Sequence, residues 1–184
     1  TMVIERVFNA PVERVWRAWS DEGEMREWWG PREYSCPAAR IDFRVGGKCL
    51  LAMRGPDGKD LWSGGTYLEI VKHRKIVCTD SFTDKDGNVT SAKAHGLPVD
   101  FPTEMVLEVM FEGQGGKTMM TLKHYGMPTG VMSDMTKASW NQSFDKMEAK
   151  VWMLPAEGNG DFVITRAFNA PRKKVWEAFT QAKV

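Results

Sequence analysis

Cysteine, histidine and net charge are all scarce in this chain. Its 184 residues hold three cysteines and three histidines, and the formal charge is +1. Cys36, Cys49 and Cys78 are odd in number, far apart in sequence and without a C-x-x-C pair. That pattern argues against a disulfide framework or a zinc site and suits reduced thiols on strands in a cytoplasmic protein. With so little net charge and no run of basic residues, nothing favours nucleic acid or an anionic membrane as partner. No apolar run reaches the ~20 residues of a membrane span, and the N-terminus lacks a signal-peptide pattern. A Gly-rich phosphate loop and a G-x-S-x-G elbow are also missing. No cofactor or metal is expected.

What is present is a self-similarity. Val3–Ser20 reads VIERVFNAPVERVWRAWS and Val163–Thr180 reads VITRAFNAPRKKVWEAFT. Each copy is a β-type run, Asn-Ala-Pro, then an amphipathic helix, so the period is about one domain. The expected organisation is a complete domain over 1–154, a linker at 155–160, and the opening strand and helix of a second, truncated domain at 161–184. The chain therefore reads as cut from a longer protein. A lone strand and helix bury too little to fold alone. Residues 161–184 are thus expected to pack on the first domain or on a second chain, giving a homodimer.

Along the first copy, Met2–Phe8 reads as a strand and Pro11 as the first helical position. Val12, Val15, Trp16 and Trp19 follow at helical spacing. Asp21 and Glu24 form a capping pair for a second short helix, which Gly30-Pro31 ends. Turn signals then delimit strands near 37–45, 48–54, 60–71, 75–83, 103–112 and 117–125. A long helix is predicted from about 130 to 152, with Trp140, Phe144, Met147 and Val151 on one face. The fold class is α+β: a curved antiparallel sheet wrapped around a long C-terminal helix, with two short helices after the first strand. Whether the space between helix and sheet is packed solid or left as a cavity decides the function.

Four segments in this order resemble a known family. They are NAPVERVWRAWSDEGEMREWWGP, Asp42–Gly47, Phe82-Thr83-Asp84 with Asp86-Gly87-Asn88, and Trp140–Met147. Over about residues 2–152 the chain is similar to the START-like helix-grip superfamily (SRPBCC), in the branch named after the activator of the heat-shock chaperone ATPase. The resemblance implies a helix-grip fold. It also implies either an apolar ligand (lipid, polyketide-like or other) in the helix–sheet cavity or a co-chaperone-like module with a chaperone partner. Some superfamily members catalyse cyclisation or hydrolysis there, but no catalytic residue carries over.

Candidate residues follow from the same layout. Twelve methionines are many for this length, and flexible thioethers suit either an adaptable pocket or ordinary core filling. The expected cavity lining is Trp62, Asp80, Phe82, Met105, Met119, His124, Met132, Met135, Trp140, Phe144 and Met147. Asp80 is read as either pocket-facing or outward on its strand. His124 is read as pointing to the cavity mouth or as a hydrogen-bonded structural residue, and a His95–His124 metal pair is the minor alternative. His73 is expected to be solvated. Glu104, Glu108 and Tyr125 complete the polar candidates. An apolar-ligand carrier is the favoured reading, a chaperone-interacting module the second and a cyclase or hydrolase the last.

Overall fold

The computed structural model describes residues 1–97 and 101–153. Its elements are β1 (Met2–Phe8), α1 (Val12–Ser20), α2 (Glu22–Trp28), β2 (Ala39–Ile41), β3 (Lys48–Arg54), β4 (Asp60–Val71), β5 (Lys75–Thr83), β6 (Met105–Gln114), β7 (Lys117–Tyr125) and α3 (Val131–Met153). The seven strands form one antiparallel sheet in the order β1-β7-β6-β5-β4-β3-β2. It is the α+β arrangement expected from the sequence. The linker and second-copy opening expected at 155–184 lie outside the described residues. Among the described residues, no helix is long and apolar enough to cross a membrane.

Local chemistry sets the helix starts. Pro11 takes the extended N-cap position (φ −64°, ψ 156°), one residue before the expected place, and Val12 begins α1. The Asp21 carboxylate accepts the Glu24 amide at 2.9 Å and opens α2. The predicted strand near 37–45 is only three residues long. Past Ile41 the chain folds back on itself, with the Arg44 and Gly47 amides donating to the Asp42 and Arg44 carbonyls. His73, expected to be solvated, is half-buried. It takes a left-handed φ of 59° in the β4–β5 turn, and its ring stands edge-on to Trp16 at 5.7 Å.

Period-two alternation sorts each strand between an inner face, toward α3, and an outer one. On β7, Thr118, Met120, Leu122 and His124 are buried, whereas Met119 is 41% exposed. The cross-strand row His124–Leu107–Cys78–Tyr67 carries the inner face from β7 to β4. At the β1 end of the domain the space under α3 is packed solid. Phe144 is fully buried among the rings of Phe8, Trp19, Trp28 and Trp140, with centroids 5.4–6.4 Å away. Such aromatic burial dominates core energetics. Two ion pairs from Arg6 on β1, to Asp145 (2.7 Å) and Glu148 (2.6 Å), hold α3 over this end.

Candidate functional site

Farther along α3 the packing opens. A cavity of about 340 Å³ lies between the N-terminal half of α3, the Trp29–Tyr34 segment and the inner faces of β3 to β7. Met53, Leu61, Phe82, Met105, Met127 and Trp140 supply much of its apolar wall. Met132 and Met135 line it from the first turns of α3. Met135 is 61% exposed and marks where the cavity meets solvent. Lys146 fixes the wall that follows α2: its ammonium donates to the carbonyls of Tyr34 (2.9 Å), Gly30 (3.0 Å) and Trp29 (3.4 Å). Desolvation lowers the pKa of this lysine.

Of the eleven expected lining residues, Asp80, Phe82, Met105, His124, Met132, Met135 and Trp140 lie on the cavity wall. The other four do not. Phe144 and Met147 are fully buried in the closed core, because one and two turns beyond Trp140 the helix has reached the aromatic cluster. Met119 sits opposite Val7 on the outer face. Trp62 pairs with Ala52 and Thr83, while its neighbours Leu61 and Ser63 face the cavity. The sequence reading missed Trp29, Tyr34, Met53, Leu61, Phe101 and Met127. Several of these come from connecting segments, where no periodicity announces a direction.

Asp80 points inward, the first of its two readings. His124 lies beside it, with Nε2 3.2 Å from the Asp80 carboxylate and only 3% of its side chain exposed. The carboxylate lies off the line of the ring N–H, so neither ring nitrogen has an aligned hydrogen bond. The Asp80 side chain is 20% exposed, so it is the more accessible member of the pair. The other polar candidates lie apart. His95 Nε2 contacts Thr90 Oγ1 at 2.7 Å, and Glu108 pairs with Lys123 at 3.2 Å. Glu104 and Tyr125 are exposed. No group of three or more His, Cys, Asp or Glu among the described residues could hold a metal.

Cys49 and Cys78, distant in sequence, meet across β4 on the inner face near Tyr67. Gly65, on β4 opposite Cys49, has no room for a side chain: a Cβ there would overlap the Thr79 carbonyl oxygen. The hydrogen bond between the thiols lowers the pKa of Cys49 and, with burial, raises that of Cys78. Burial, followed by the charges of the two thiols, pushes the Tyr67 phenol well up.

Solved structures with this fold include a protein from Chromobacterium violaceum. It is 26% identical, has a TM-score of 0.67, and the match covers 82% of this chain and 95% of that one. The AHSA1 protein from Silicibacter pomeroyi is 22% identical, with a TM-score of 0.66 and coverage of 82% and 96%. A protein from Mycobacterium smegmatis is 20% identical, with a TM-score of 0.65 and coverage of 85% and 91%. No curated protein matches the chain significantly. The family model described as Activator of Hsp90 ATPase homolog 1-like protein matches residues 9–151. On that match and this fold, the chain belongs to the Activator of Hsp90 ATPase homolog 1-like family of the helix-grip superfamily.

Proposed function

We propose that this domain binds an apolar small molecule in the cavity between α3 and the sheet. The observation that carries the reading is the cavity itself, about 340 Å³ and walled mainly by methionine, aromatic and leucine side chains. Its size is at the lower end for a small-molecule site, and thioethers adapt to ligands of irregular shape. The wall stands on fixed elements, held by Lys146 and the Arg6 ion pairs. A chaperone-docking surface has less support, since among the described residues the exposed large apolar side chains are spread over β1, β4, β7, α3 and two loops. We place no enzymatic step here.

Native mass spectrometry of the purified protein, followed by organic extraction, tests the proposal together with a wall variant. Ser139 is half-buried on the cavity wall, and Ser139→Phe fills the space with a ring. The expected result is one apolar molecule per chain, or saturable uptake of added naphthalene, in the wild type and its loss in Ser139→Phe. Absence of both from the wild type, or unchanged uptake in a folded Ser139→Phe, refutes it.

A further inference from the structure

The apolar wall has one charged interruption. Asp80 lies in the cavity with His124 behind it, and no lysine or arginine is among the described lining residues. A carboxylate or phosphate headgroup entering here would meet Asp80 and find no cationic side chain to pair with. Burying an unpaired anion beside a carboxylate is costly. A wholly apolar ligand would strip water from Asp80 and return nothing to it. The side of Asp80 turned away from the cavity is taken up by the His124 ring, 3.2 Å from the carboxylate. A neutral hydroxyl fits both demands: it gives Asp80 a donor and adds no charge.

The geometry points to Asp80 as the polar anchor of the cavity, accepting a hydrogen bond from the hydroxyl of an uncharged, otherwise apolar ligand. His124 acts as a positioning residue whose ring packs behind the carboxylate at 3.2 Å and limits its movement. Its ring nitrogens are closed off from solvent, so the ligand's hydroxyl meets Asp80 rather than those nitrogens. The aromatic walls at Trp29, Phe82 and Trp140 and the thioethers of Met53 and Met105 favour a ring-bearing ligand, through ring–ring and sulfur–ring contacts. The ligand class is therefore phenols and hydroxylated ring systems, as opposed to fatty-acid anions. This inference rests on the cavity reading above, and its test separates the two.

The probes are naphthalene, 2-naphthol, 2-naphthoate and 2-naphthylmethylamine, titrated against the full chain by calorimetry. The expected order puts 2-naphthol about tenfold or more ahead of naphthalene, the worth of one hydrogen bond to a charged group. Naphthoate should be the weakest. In Asp80→Leu the naphthol advantage should vanish while naphthalene binding persists. His124→Leu should reduce the advantage partially, and Asp80→Asn should retain part of it. If naphthol and naphthalene bind alike, the anchor is wrong and the cavity reading stands. If the amine or the naphthoate binds tightest, the assigned ligand class is overturned. If none of the four binds, the cavity reading itself falls. The wild-type series needs no variant to fold.

Discussion

Replacing Phe144 by alanine tests the division of the helix–sheet space into a closed core and an open cavity. The ring is fully buried and lies within 6.4 Å, centroid to centroid, of Phe8, Trp19, Trp28 and Trp140. These neighbours come from β1, α1, α2 and α3, so the void cannot close by the shift of one side chain. A buried Phe→Ala change costs about 3–5 kcal/mol. In a chain of this size each kcal/mol shifts the melting temperature by about 2–4 °C, so the expected fall is about 6–20 °C. Met135→Ala is the control. Met135 lines the cavity but is 61% exposed, and its removal should change stability by no more than about 0.5 kcal/mol. Urea unfolding followed by tryptophan fluorescence measures both, with eight tryptophans as reporters. An unchanged slope with a lower midpoint would assign the loss to the native state. A cost below about 1 kcal/mol for Phe144→Ala, or equal costs for the two variants, would refute the division.

Gly65→Ala drives a methyl group into the Thr79 carbonyl, and should cost about 1–3 kcal/mol or more; a wild-type urea midpoint would contradict the close approach. Lys146→Met removes three hydrogen bonds to the wall segment and should lower stability by about 1–3 kcal/mol, with weaker naphthalene binding by titration as the second readout. Unchanged values in both would show that the segment holds itself. Tyr67 has a folded pKa raised by burial, so its contribution is fully present below the ordinary tyrosine range and is lost as pH rises above about 10. Wild type should therefore lose more stability than Tyr67→Phe between about pH 10 and 11, and parallel urea midpoints would count against it.

The fold was legible because its signals are periodic. Turn residues between apolar runs placed the strands, and the spacing of Trp140, Phe144, Met147 and Val151 placed the long helix. The site was legible only in part. Two adjacent methionines, 119 and 120, offer opposite faces of one strand, and only the register with β1 and β6 buries Met120. Trp62 stands two residues before the Gly64-Gly65 pair, where missing side chains leave alternation without a reference. Phe144 and Met147 share a helical face with Trp140, but depth along the groove depends on where α1 and α2 close it. Periodicity gives direction from an axis and carries no information about distance along it. The meeting of Asp80 and His124 is a tertiary event between β5 and β7 across β6, and no local spacing encodes it.

The strand order has a consequence for how the chain reaches this state. Every neighbouring pair in the sheet joins consecutive strands except β1 and β7. Their junction brings the Thr118 hydroxyl onto the Ala10 carbonyl across 108 residues. Most of the hairpins close over short loops, whereas that junction must wait for nearly the whole domain. The opening strand is thus made first and fixed last, and in pulse-labelled refolding its amides should gain protection after those of β3 to β6. Until then Trp16 of α1 can meet Phe111 on β6 (5.4 Å), but β1 has no neighbour in the sheet. During synthesis, the sheet cannot close on β1 until β7 has emerged.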